Sequence, residues 1–331
     1  MTTSVAMCTY NGARFIEEQL RSILNQTKLV GEIIVCDDGS TDKTVNIIQK
    51  IAEETTIPIR IYINETNLGC VQNFEKAIHL CQGDLIFLSD QDDIWMFNKV
   101  ELITRWFERH PHMNVVFGDA FLINEESMPI MNPQVITSKL MNKINSKPMR
   151  LWEGIGFSEL SQKQFKRGLG LELWMSQNRA TGATMALKKT FSEQIKIHHP
   201  DFYHDGALSF NALLTCTLGF FKQPLISYRQ HKDQTIGCPI KKNIPYGWDD
   251  VRVIHKLEID FISSVEDERI KKRISFVKKR HSLQHSVICM THWNSWPEYK
   301  CLYGRNGLYM YVYDIYKATR YSLKSIISSL K

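Results

Sequence analysis

Short apolar runs alternate with helical stripes over roughly the first 120 residues. Ser4 to Cys8, Glu32 to Cys36, Ile57 to Ile63, Asp84 to Leu88 and Val115 to Phe117 read as strands. Between them, apolar positions recur at helical spacing. Phe15, Ile16, Leu20, Ile23 and Leu24 form one stripe within Arg14 to Asn25, and Val45, Ile48, Ile51 and Ala52 form a second, with Ser40 or Thr41 available as its cap. Cys70 to Leu80 and Lys99 to Arg109 read as two more helices. Strand and helix in strict alternation, joined by short connections, predict βαβ units and a mostly parallel sheet. The turns at Thr9–Gly12, Asp37–Asp42 and Asp90–Asp93 then share one sheet edge, where open α/β sheets hold ligands.

Beyond Asn124 the pattern fades to about Gln177, with Pro129, Pro133 and Pro148, and reads as an irregular insertion. Residues 181–191 and 206–228 recover helix or strand character. The organisation expected is a catalytic domain over 1–240, divided near 120 into a nucleotide-binding and an acceptor-side half, and a helical extension over 241–331. Charge follows the same division. The extension carries 17 Lys and Arg against 9 Asp and Glu, a net of +8, which leaves −2 on the first 240 residues of a chain with net charge +6.

The eight cysteines show no CxxC spacing and read as reduced thiols of a cytosolic protein. Strand-like sequence begins at about Ser4 with no leader before it, and no apolar run approaches the ~20 residues that span a bilayer. A cytoplasmic protein is expected.

The chemistry concentrates in Ser89-Asp90-Gln91-Asp92-Asp93. Three carboxylates in four residues repel one another at the end of a buried strand, and a divalent cation is the usual remedy. A polar turn after a strand is the simpler reading of that stretch alone. Trp95 fits the core better than a sugar-stacking face, because Ile94 precedes it.

Together, Val5-Ala6-Met7-Cys8-Thr9-Tyr10-Asn11-Gly12, Ile34-Val35-Cys36-Asp37-Asp38-Gly39-Ser40-Thr41-Asp42, Asn67-Leu68-Gly69 and Ser89-Asp90-Gln91-Asp92-Asp93-Ile94-Trp95 resemble family 2 glycosyltransferases of the GT-A fold in order and spacing. The Ser-Asp-Gln-Asp-Asp-Ile-Trp form, with His204-Asp205 and Tyr228-Arg229-Gln230-His231, is similar to a bacterial rhamnosyltransferase-like subgroup. The resemblance implies an inverting enzyme with a nucleotide-sugar donor and Mg²⁺ or Mn²⁺. It places Thr9, Asn11, Asp38, Asn67 and Asp90 on the donor, with Thr9 and Asp38 on a pyrimidine base and Asp90 toward the ribose. It places Asp92 or Asp93 on the metal, joined by His231, with Arg229 on the diphosphate. Asp205 matches the general base, and Thr181, Gly182 and His204 line the acceptor side. Two departures stand out: Gly206-Ala207 replaces a bulky aromatic after the base, and Lys232 replaces a glycine after His231.

The implied donor is deoxythymidine-diphosphate rhamnose, with a uridine-diphosphate hexose second. The implied acceptor is a saccharide or lipid-linked saccharide of a surface polysaccharide. Nucleic acid is not an expected partner. A nucleotidyltransferase would need a Gly-rich, basic loop after the first strand, and Thr9-Tyr10-Asn11-Gly12 is not one; a non-catalytic sugar-binding relative would not need all of Asp92, Asp93 and Asp205. In the extension, Lys271-Lys272-Arg273 and Lys278-Lys279-Arg280 are seven apart on one helical face, followed by a tyrosine-rich amphipathic tail. Such helices suit an anionic membrane surface or packing on the protein itself.

Overall fold

The computed structural model describes residues 1–131, 148–155, 157, 159–166, 180–195, 197 and 203–234. The chain divides into two compact units, Met1–Gln162 with Asn178–Pro245, and Lys163–Gln177 with Tyr246–Lys331. The basic extension and its membrane reading lie outside the described residues.

The first unit is built on an eight-stranded sheet ordered β3-β2-β1-β4-β7-β6-β8-β5. Its strands are β1 (Thr3–Thr9), β2 (Glu32–Asp37), β3 (Ile59–Ile63), β4 (Leu85–Ser89), β5 (Ile94–Trp95), β6 (Val115–Ile123), β7 (Ala186–Lys188) and β8 (Leu218–Arg229). β1 pairs in parallel with β2 and β4, β2 with β3, and β6 with β8. β7 runs antiparallel to β4 and β6, and β5 antiparallel to β8. The sheet is therefore mostly parallel but mixed, and the antiparallel β7 joins two parallel blocks.

Alternation along the strands sorts the helices. Val5, Met7, Ile33, Val35, Leu85 and Phe87 share a cluster with Ile16, Leu20 and Ile23 of α1 (Ile16–Leu24), Ile48 and Ile51 of α2 (Thr44–Glu53), and Val100, Ile103 and Phe107 of α4 (Lys99–Arg109). The opposite face meets α3 (Gly69–Leu80), which packs on β1 and β2 with Phe74, Ala77 and Ile78 buried. Apolar side chains of this size contribute about 1.5–3 kcal/mol each when fully buried. Trp95 lies in the core at 4% exposure.

Three local expectations change. Neither Ser40 nor Thr41 caps α2; the Asp42 carboxylate accepts the Thr44 N–H instead. β6 runs past Phe117, because Gly118-Asp119 forms an irregularity within the strand rather than a turn. Asp119 is buried there, accepts the Ala120 and Trp152 N–H groups, and pairs with Arg150 at 2.5 Å. The expected insertion is tied back to β6 at both described ends, through Ile123 with Pro129 and Phe121 with Arg150.

Candidate active site

The donor-side wall is a set of loops stapled by side chains. Beyond the last β1–β4 register pair, Met7 with Ser89, the two chains separate. The Gln91 amide spans the gap: its Oε1 accepts the Tyr10 N–H at 2.8 Å and its Nε2 donates to the Tyr10 carbonyl at 3.0 Å. Toward β2, the Ser40 hydroxyl accepts the Asn11 N–H, and the Asn11 side-chain oxygen accepts the Thr41 N–H. Asn11 sits at φ +51°, a left-handed conformation that asparagine tolerates. A Cβ on Gly12 would stand 2.2 Å from Gln91 Oε1, so a side chain there would displace the bridging amide.

The two aspartates of the β2 turn have separate tasks. Asp37 accepts the Thr9 and Ser40 hydroxyls and the Ser40 N–H. Asp38 accepts the Leu68 and Gly69 N–H groups and the Asn64 amide. Asn67 donates to the Asp38 carbonyl and accepts the Gly69 N–H. Thr9 and Asp38, expected on the base, are thus buried and engaged with the protein, and they shape the wall.

The carboxylate loop lies at the foot of this wall. Asp93 is almost fully buried; one oxygen accepts the Arg229 N–H at 3.0 Å, and the other has no hydrogen-bond partner. Burial, then the charges of Asp92 and Asp90, push its carboxyl well above the usual carboxylate range. Asp90, half-buried, is pushed up to about 7 by burial, then by Asp92 and Asp205. Asp92 Oδ2 stands 2.7 Å from His231 Nε2, so the imidazole N–H points at the carboxylate. Arg229 is fully buried, with bonds to the carbonyls of Asp92, Asn124 and Glu125, the Ser127 hydroxyl and Glu18. It fixes the Asp92 backbone through its Nε–H.

A divalent cation fits this chemistry in part. Mutually repelling carboxylates and the unpartnered Asp93 oxygen favour a hard cation. Among the described residues, however, no three His, Cys, Asp or Glu side chains form a ready-made cage. The protein offers a partial shell, the arrangement that suits an ion shared with substrate phosphates.

The acceptor side comes from a different part of the chain. Asp205 is in the first turn of α5 (His204–Leu214), and the Gly182 N–H donates to its Oδ2 at 3.1 Å. Burial pushes its carboxyl up to about 6, and its charge is one of the causes that raise Asp90. His204 is buried, stacked on Phe74 at 3.9 Å, and burial lowers it to about 3, which keeps it neutral. Gly182 opens the 3₁₀ turn Gly182–Thr184; a Cβ there would stand 2.5 Å from His204 Nε2. Thr181 precedes the turn, and its carbonyl accepts the Thr184 N–H. Asn178 and Arg179 lie outside the described residues.

Several residues that build the site had no role assigned from the sequence: Gln91, inside the motif, as the bridge, Asn64 and Asn73 beneath Asp38, and Lys99 against Trp95 and the Ala183 carbonyl. Asn73 and Lys99 share a detectable signal, a polar residue on an otherwise apolar helical stripe.

The model of Glycosyl transferase family 2 matches residues 4–163, the stretch holding the whole donor-side wall. The matched stretch is just under half of the chain. The chain is 31% identical over 136 residues to the UDP-Glc:alpha-D-GlcNAc-diphosphoundecaprenol beta-1,3-glucosyltransferase WfgD of Escherichia coli, covering 40% of this chain and 52% of that one. It is 31% identical over 137 residues to an uncharacterized glycosyltransferase of Haemophilus influenzae, covering 41% and 42%. The chain thus spans about half the length of these relatives, or less. The fold is that of S. aureus TarS 1-349 in complex with UDP-GlcNAc (TM-score 0.56, 16% identity, 95% of this chain and 81% of that one). It is also that of the mannosyltransferase PcManGT from Pyrobaculum calidifontis in complex with GDP-Man and Mn²⁺ (TM-score 0.53, 16% identity, 99% and 79%). Among the described residues no helix is long and apolar enough to cross a membrane.

Proposed function

We propose that this protein is an inverting glycosyltransferase that moves a sugar from a pyrimidine nucleoside diphosphate to a saccharide hydroxyl during polysaccharide assembly. The observation that carries the reading is the half-buried Asp205, held by the Gly182 N–H, together with the three carboxylates of the loop that follows β4. The charge of Asp205 is among the causes that raise Asp90.

Asp205 is the general base. Its ionised Oδ takes the acceptor hydroxyl proton as that oxygen bonds to the sugar C1, while the bond from C1 to the diphosphate breaks on the opposite face. A positioned base of this kind contributes about 10²–10⁴-fold. The Gly182 N–H fixes one Asp205 oxygen and leaves the carboxylate oriented. On the donor side, Asp92 is the principal metal ligand, since its carboxylate is less buried than that of Asp93 and is aimed by His231. Asp90 completes that set toward the ribose, and Asp93 holds the loop through Arg229. When bound, the divalent ion supplies Lewis-acid stabilisation of the leaving diphosphate. Thr9, Asn11, Asp38 and Asn67 shape the nucleotide wall, and Thr181, Gly182 and His204 shape the acceptor side.

Between the two donors implied by the sequence, the ligands named for WfgD and TarS favour a uridine-diphosphate hexose over deoxythymidine-diphosphate rhamnose. The acceptor is a saccharide, lipid-linked as in the name of WfgD. Contact of the basic extension with an anionic membrane belongs to the same proposal.

Thermal-shift screening of nucleotide sugars with and without Mn²⁺ tests the donor. A pyrimidine donor at a hundredfold excess over Kd stabilises the fold by about 2.7 kcal/mol, and failure of every pyrimidine donor to shift the melt would overturn the assignment. Donor hydrolysis by Asp205→Asn tests the mechanism. Rates equal to wild type and independent of metal would sink it.

A further inference from the structure

Lys99 is fully buried at the start of α4 and belongs to none of the motifs. A buried ammonium is costly unless its surroundings compensate it. Here the surroundings come from both sides of the crevice. On the donor side its Nζ lies 3.7 Å from the centre of the Trp95 ring, at the end of the carboxylate loop. On the acceptor side its Nζ donates to the Ala183 carbonyl at 3.0 Å. Ala183 is the middle residue of the Gly182–Thr184 turn, and Gly182 is the residue whose N–H holds Asp205.

A leucine or methionine would fill the same space without desolvating a charge. What the lysine adds is a directed bond to one wall and a cation–π contact with the other. The connection runs from Trp95, at the end of the carboxylate loop, through Lys99, Ala183 and Gly182 to Asp205. Every group in it is buried or half-buried.

We infer that Lys99 is a positioning residue that couples the donor and acceptor sides, so that filling the donor side steadies the turn that aims Asp205. The inference rests on the reading of Asp205 as the base. Coupling of this kind is reciprocal and is measurable as a change at one site caused by a ligand at the other.

Hydrogen exchange of the full chain, with and without uridine diphosphate and Mn²⁺ (deoxythymidine diphosphate in a parallel arm), reads the coupling directly. The expected result is slower exchange of the Gly182 to Met185 amides in the wild type on nucleotide binding. In Lys99→Met the nucleotide still binds, but the slowing at this turn disappears. In kinetics, Lys99→Met lowers kcat for transfer ~100-fold, the scale of a small misplacement of a reacting group, and leaves the donor KM unchanged. A residue that merely supports the fold would instead lower the active fraction and scale both reactions, hydrolysis and transfer, together.

The inference is overturned by a wild type whose Gly182 to Met185 amides ignore the nucleotide, by Lys99→Met with wild-type kcat, or by a donor KM that rises as kcat falls. If Lys99→Met does not fold, the wild-type exchange result decides alone. An Asp205→Asn enzyme as active as wild type sinks the base and not the coupling, which the exchange still reads. Binding of neither nucleotide overturns both.

Discussion

On the donor side each functional turn grows from the end of a parallel strand, and its chemistry stands within a few residues of that strand. On the acceptor side Asp205 enters on the first turn of a helix, Gly182 on a 3₁₀ turn, and both are brought to the sheet edge by β7 and β8. The donor wall is stapled many times over, through Gln91, Ser40, Asn11, Asp37 and Asp38. The Gly182–Thr184 turn has fewer such ties: it is joined to Asp205 through the Gly182 N–H, and to the core through Lys99 and through the Thr184 hydroxyl, which accepts the Gly118 N–H. Binding and chemistry should therefore separate: changes on the donor side alter affinity, and changes on the acceptor side alter turnover.

The sharpest break of that contrast is Asp205→Asn. Transfer kcat should fall ~10²–10⁴-fold with the donor KM unchanged, checked by steady-state kinetics with a saturating acceptor. His231→Ala acts on the other side. Loss of the residue that aims Asp92 should weaken divalent-ion affinity about 10–100-fold, read by metal titration of donor binding, with kcat at saturating metal largely retained.

A pH profile sharpens the contrast without mutation. Asp205 is pushed up to about 6 and must be ionised to accept a proton, so kcat should rise with pH and level off above about 6. Below that point each unit of pH removes about tenfold of the reactive form. The smallest effect belongs to Gln91→Glu. A carboxylate keeps the bond from the Tyr10 N–H and loses the one to the Tyr10 carbonyl, about 1 kcal/mol. The donor KM should rise about 5-fold with little change in kcat; an equal fall in kcat would show that the bridge also shapes the reacting geometry.

The same contrast explains what the sequence made legible. Strands β1 to β4 and helices α1 to α4 follow from local periodicity, because each is long enough to repeat its pattern. β5 is two residues long and has no period to detect. The far end of β6 was hidden by Gly118-Asp119, which has the composition of a turn and becomes a strand irregularity only because Arg150 and Trp152 satisfy the buried Asp119. Residue type alone did not separate the tasks of Asp37 and Asp38 or show that Arg229 is buried; for the aspartates the difference resides in Thr9, Asn64 and Leu68, 26 to 30 positions away, and for Arg229 in partners more than a hundred positions distant. Gln19, Asn73 and Lys99 interrupt otherwise apolar stripes. Such interruptions are the one sequence trace of a polar interior, and each of the three leads to the site or its support.

The strand pair β5–β8 has a consequence for how the protein is made. The carboxylate loop leaves β4 in one half of the sheet and ends in β5 at the far edge, where Ile94 pairs with Ser227. Its anchor, Arg229, is 136 residues downstream of Asp93. On the ribosome the first four strands can assemble early, but the loop has no edge to join and its buried carboxylate no N–H to accept until β8 has emerged. The wall of strand-end turns is thus an early product of synthesis and the anchored carboxylate loop a late one, so a nascent chain stalled before residue 229 would have the wall and lack the anchored loop.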